Sequence, residues 1–161
     1  MKKSMAMLLS AFLLIQIAML PVSAAIPSDA KYTIVDTCYN PDSGRYVAVA
    51  KDLTSSTNPA ELLYSDDGET WTAGRKIGTG IHYANKQTRQ TVVWYAKANL
   101  FIAQMDKNVL TSPDGETWTL DTNLGGEGKS NSMIETNGEQ LIINTRKTLR
   151  VYEDITAAPV L

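Results

Sequence analysis

From Tyr32 onward, short stretches rich in Val, Ile, Tyr, Thr and Trp alternate with turn residues, and no segment sustains a helical period. The pattern predicts an all-β fold. "YTIVDTCY" (32–39), the loop "NPDSG" (40–44) and "RYVAVAK" (45–51) read as a hairpin, because Pro, Asp and Gly each favour a turn for backbone reasons of their own. "ELLYS" (61–65) and a strand opened by Trp71 read as a second hairpin across "DDGE". The order then recurs as "TVVWYA" (91–96), "LFIAQM" (100–105), "NVLTS" (108–112), "PDGE" and "TWTL" (117–120). A third pass starts with "SMIET" (132–136), turns at Asn137-Gly138, and continues through "QLIIN" (140–144) and "TLRVYE" (148–153).

A repeat of about four strands with a period of roughly forty to fifty residues points to a propeller or an array of one supersecondary unit. The predicted unit is a four-stranded antiparallel meander. About three such blades are expected, near residues 30–74, 89–121 and 130–156, the last without its outer strand. Closed propellers usually have about four to eight blades, so the expected ring is incomplete and some sheet edges are open to pairing. Missing blades from a longer gene product, self-association into a six-bladed ring, and an open arc are the three ways to satisfy those edges.

Ahead of the repeat, Lys2 and Lys3 precede an apolar run from Met5 to Leu20, and Val22-Ser23-Ala24 gives a small-residue cleavage pattern. Residues 1–24 therefore read as a secretory signal peptide, with the domain spanning 25–161. The run is interrupted by Ser10 and Gln16 and is shorter than the roughly 20 residues a bilayer core requires. The expected location is secreted or extracytoplasmic, with no membrane attachment after cleavage. Removing Lys2 and Lys3 from fifteen basic residues against seventeen acidic ones leaves a net charge of −4, which disfavours nucleic acid as a partner. Cys38 is the only cysteine, so the exported chain has no internal disulfide, and the thiol reads as a small buried hydrophobe.

A heptapeptide occurs twice with a single difference, "SDDGETW" at 65–71 and "SPDGETW" at 112–118. Ser65 and Ser112 each end a third strand, and Asp67 and Asp114 follow two residues later, where a carboxylate can accept hydrogen bonds from N–H groups of its own turn. Gly68 and Gly115 come next, at a point where a left-handed backbone costs another residue about 1–2 kcal/mol. Thr70 and Thr117 restart an extended backbone. Trp71 and Trp118 then offer a side chain able to bury about 150–250 Å² against a neighbouring sheet.

These residues resemble the Asp box, or bacterial neuraminidase repeat, of sialidases and many other β-propellers, in a compact variant one residue shorter than the commonest spacing. The third repeat keeps only "YED" (152–154). In that family the boxes lie on the face opposite the ligand site, so the resemblance implies that Asp67, Asp114, Trp71 and Trp118 are structural. It also implies an arginine in a Phe/Tyr-Arg-Ile-Pro stretch, yet the only Ile-Pro here is in "AAIPSD", with Ala25 in the arginine's place. Arg45, Arg75, Arg89, Arg146 and Arg150 carry none of that signature.

No catalytic residue, cofactor or metal is therefore expected. His82 is the only histidine, and "GTG" (78–80) and "GGEG" (125–128) do not join a strand to a helix as a phosphate loop does. In a propeller the connectors between blades share a face, here 52–60, 74–89 and 121–131. The middle connector concentrates Arg75, Lys76, His82, Tyr83, Lys86 and Arg89 in an otherwise acidic chain. The expected function is a binding or scaffold module at the cell exterior, recognising a glycan, an acidic ligand or a protein. A fragment of a sialidase-like glycoside hydrolase is the alternative.

Overall fold

The computed structural model describes residues 31–54, 60–77, 90–105, 108–124, 133–144 and 148–156. It is all-β apart from one 3-10 turn, Ala96–Ala98. No helix among these residues is long and apolar enough to cross a membrane.

The first sheet is an antiparallel meander of β1 (Tyr32–Asn40), β2 (Arg45–Asp52), β3 (Ala60–Ser65) and β4 (Thr72–Ala73). The second contains β6 (Gln90–Tyr95), β7 (Leu100–Met105), β8 (Asn108–Ser112) and β9 (Thr117–Asp121), again in sequence order. The third holds β10 (Met133–Thr136), β11 (Leu141–Asn144) and β12 (Leu149–Tyr152). These sheets do not close on one another.

Each hairpin follows from its turn chemistry. Asn40 Oδ1 accepts from the N–H groups of Asp42 and Ser43, and Gly44 supplies a φ of +72° before β2. At the corresponding turn of the second sheet, Asn99 takes the left-handed conformation at φ +53°, which Asn tolerates better than most residues. At the third, Asn137 Oδ1 accepts from Glu139 and Gln140.

One segment departs from the expected meander. Residues 75–77 were expected in a connector, but Arg75–Ile77 form a short strand, β5, parallel to β9 at the edge of the second sheet. The first sheet's outer strand is correspondingly only two residues long. The crossing falls at Gly74, whose N–H still donates to Leu62 of the first sheet while the next N–H, of Arg75, donates to Glu116 at 2.6 Å. A Cβ on Gly74 would lie 3.1 Å from the Trp118 indole, so glycine is what lets the chain pass there. The second sheet has five strands because that unpaired edge found a partner.

The core lies between sheets. Val47, Val49, Ala60 and Leu62 of the first pack on Val92, Trp94, Phe101, Ala103, Leu110 and Trp118 of the second. Tyr95, Ile102 and Val109 on the other face of the second sheet pack with Ile134, Leu141, Ile143 and Tyr152 of the third. The first strands of the sheets lie side by side, β1 against β6 and β6 against β10. There the backbone N–H of Val92 donates to Asp36 Oδ2 at 2.9 Å, so a carboxylate satisfies a donor on a strand edge.

Candidate functional site

Ser65 and Ser112 stand at the ends of β3 and β8, and both heptapeptides fold into the same turn. In the first, Asp67 Oδ1 accepts from the Ser65 hydroxyl at 2.9 Å and from the N–H groups of Glu69 and Thr70 at 2.8 and 2.7 Å. Ser65 Oγ accepts in turn from Gly68 N–H. In the second, Asp114 receives Ser112, Glu116 and Thr117, and Gly115 N–H donates to Ser112 Oγ. Gly68 and Gly115 share a φ of +76°.

Asp67 consequently has its carboxyl held down to about 2, chiefly by the N–H of Thr70, then by that of Glu69 and the Ser65 hydroxyl. For Asp114, partial burial is the largest influence and opposes ionisation, but the bonds from Thr117, Ser112 and Glu116 together outweigh it and leave the carboxyl below its usual range. In each carboxylate Oδ1 takes all three of these bonds.

The two turns are joined by Arg45, which sequence reasoning did not single out. Its Nε and Nη2 donate to the carboxylate of Asp66 on the first turn, at 2.8 and 3.1 Å. Its Nη1 donates to the Asp114 carbonyl and to Glu116 Oε1 on the second, at 2.8 and 2.6 Å. The planar fork reaches both turns because Arg45 opens β2 directly after Gly44. The guanidinium also lies over the Tyr64 ring, 5.0 Å from its centroid. No local signal in the sequence marks it, since its partners on the second turn lie 69 and 71 residues further along the chain.

The same end ties the second sheet to the third. The Tyr95 hydroxyl donates at 3.1 Å to the carbonyl of Glu139 and lies 3.3 Å from that of Glu153, and Lys97 N–H donates to the Gly138 carbonyl. Asp154 Oδ1 accepts from the N–H and hydroxyl of Thr156, which reproduces part of the repeated turn without its glycine or tryptophan. A pocket of about 330 Å³ lies there, lined by Tyr95, Lys97, Leu100, Asp154 and Ile155 among others.

The two tryptophans differ. Trp118 is fully buried between the first two sheets, with its indole N–H donating to the Gly115 carbonyl at 2.9 Å. Trp71 packs on Ala48, Ala50 and Leu63 of its own sheet and is only half-buried. The expectation that both bury against a neighbouring sheet holds for Trp118 alone, because none of the described residues forms a sheet on the Trp71 side.

The cationic group expected on the connector face is not gathered by the described residues. Arg75 pairs with Thr117 at the end carrying the repeated turns, not at the connector end. Lys76 follows it in β5, and His82, Tyr83, Lys86 and Arg89 lie outside the described residues. Among the described residues no three His, Cys, Asp or Glu side chains form a group suited to a metal. No protein-family model matches the chain, and no curated protein matches it in sequence.

Proposed function

We propose that the chain is an exported, propeller-like binding module whose repeated turns are Asp boxes of structural purpose, with its ligand face at the opposite end. The observation that carries this reading is the double turn clamped by Arg45. Both box carboxylates are engaged by their own turn, both turns lie at one end, and the first strands β1, β6 and β10 stand side by side as inner strands of consecutive blades do.

On this reading the residues that recognise a ligand lie in the connectors. His82, Tyr83 and Arg89, with Lys76 leading into them, supply cationic and aromatic groups for an anionic glycan or an acidic peptide. Arg75 is set aside, since its backbone belongs to the box end. The test is calorimetric titration of the chain with a sialylated trisaccharide, a sulfated oligosaccharide and neutral lactose. Salt-sensitive binding of an anionic sugar, weakened by Arg89→Ala and unchanged by Arg75→Ala, is expected. Equal affinity for lactose would sink the anionic reading, and turnover of a fluorogenic sialoside would overturn the non-enzymatic one. N-terminal sequencing of exported material tests the cleavage after Ala24.

A further inference from the structure

The strand registers align the three sheets residue by residue. Tyr46, Phe101 and Leu141 are equivalent, opposite Ser65, Ser112 and Tyr152, and across the first hairpin they pair with Tyr39, Trp94 and Thr136. Each sheet therefore has a leading face, which meets the sheet after it, and a trailing face, which meets the one before. Val47 and Leu62 on the leading face of the first sheet meet Trp94, Phe101 and Trp118 on the trailing face of the second. Ile102 and Val109 on the leading face of the second meet Leu141 and Ile143 of the third.

Two faces of this kind have no sheet opposite them among the described residues, although Ala48, Ala50 and Leu63 at the centre of the first are buried under Tyr32, Ile34 and Trp71, so that its open part is the aromatic rim. On the trailing face of the first sheet, the rings of Tyr39 and Tyr46 meet at 4.6 Å between centroids, inclined at 36°, and stand 45% and 37% exposed. Their equivalents Trp94 and Phe101 meet at 4.7 Å between ring centroids, inclined at 54°, but at 8% and 0% exposure, because a sheet covers them. Trp71 is half-buried where Trp118 is fully enclosed. On the leading face of the third sheet, Ile142 and Val151 are half-buried and Leu149 is 48% exposed, whereas Val47 and Leu62, the counterparts of Ile142 and Leu149, are fully buried.

The leftover faces are the two halves of an interface that the chain already makes twice within itself. We propose that a second copy of this chain docks head to tail, the Leu149 face of one copy covering the Tyr39–Tyr46–Trp71 face of the other. The contact is heterologous, so two copies carrying three sheets each close a ring if the rotation per sheet permits, and otherwise extend. The inference rests on the propeller reading for closure, but the docking itself rests on the repeat equivalence alone. Burial of the exposed aromatic pair supplies the driving force.

The experiment is light scattering after size exclusion on the full chain and on Tyr39→Arg and Leu149→Arg, with circular dichroism to verify strand content. The wild type is expected at twice the chain mass where the ring closes and at higher multiples where the contact extends, and each variant at one. An equimolar mixture of the two variants is expected to recover the doubled mass, because the pair retains one intact Leu149 face and one intact Tyr39 face. A monomeric wild type overturns the proposal and does not depend on any variant folding. So does a dimer indifferent to both substitutions, or a mixture that stays monomeric. Tyr39→Ser and Leu149→Ser replace any arginine variant that loses its strand signal. A monomer that still binds an anionic sugar overturns the docking alone, and a dimer that binds none overturns only the ligand reading.

Discussion

Arg45 Nη1 lies 2.6 Å from Glu116 Oε1, so the residue that opens the second strand of the first sheet holds a turn of the second sheet. The same guanidinium holds Asp66 on the first turn through Nε and Nη2, and hydrogen bonding to Asp66 is foremost in raising its own pKa. Lysine at this position keeps the charge but not the fork that reaches both turns. Asp66 and Glu116 are substantially solvated, so screening limits the contribution. A double-mutant cycle of Arg45→Met with Glu116→Gln, read by urea unfolding, is expected to show a coupling of about 0.5–1 kcal/mol. Additive effects would mean that the clamp contributes nothing to stability.

Gly68 and Gly115 share a backbone conformation but not an environment. A Cβ at Gly68 would meet the Tyr46 ring at 3.7 Å, an ordinary contact, whereas at Gly115 it would meet Val47 Cγ2 at 2.7 Å. Gly68→Ala is therefore expected to cost about 1–2 kcal/mol for the left-handed conformation alone. Gly115→Ala adds overpacking of about 1–3 kcal/mol to the same strain. Parallel urea titrations check the ranking, and equal costs would refute the packing argument.

Trp118 and Trp71 separate in the same manner. Trp118→Ala removes a fully buried ring and its indole hydrogen bond, at an expected cost of about 3–5 kcal/mol. Trp71→Ala is expected to cost the separated chain about 1–2 kcal/mol, since its ring is half in water. The comparison is made by thermal unfolding of dilute samples, in which a docked copy does not contribute.

Acid should unlock the first turn late. The Asp67 carboxyl is depressed in the folded state to about 2, so its stabilising effect is complete above the unfolded value near 4 and is lost as the pH falls toward 2. Asp67→Asn keeps an acceptor but removes the charge. The expected result is a flatter dependence of Tm on pH between about 4 and 2, with little change of slope above 5. A wild-type slope unchanged in the variant would show that these bonds do not depress the carboxyl on folding.

Cys38, packed against the first inter-sheet core, has its thiol pushed up to about 12, foremost by burial and then by the charge of Asp36. It should resist iodoacetamide at pH 8 in the folded chain and react after addition of urea. Rapid labelling of folded protein would contradict this placement.

Much of this architecture was legible in the chain. The alternation from Tyr32 onward, the glycine and asparagine turns and the doubled Ser-Asp-Gly-Thr-Trp run are local signals, and the hairpins they predict are those observed. Arg45 was not legible as a clamp, because its partners Glu116 and the Asp114 carbonyl lie far along the chain and meet it only when two sheets stack. The Arg75–Ile77 strand was hidden for a related reason. Nothing local distinguishes a connector from a strand whose partner is the open edge of another sheet.

What the amino-acid order determined by itself is therefore the set of hairpins and their self-locking turns, whose hydrogen bonds close within a few residues and need no distant partner. Only the tertiary structure decided which tryptophan of two near-identical motifs is buried. Trp71 and Trp118 occupy the same place in the same heptapeptide, and their burial differs because it is a property of the sheet that lies opposite, a second surface that the motif cannot encode.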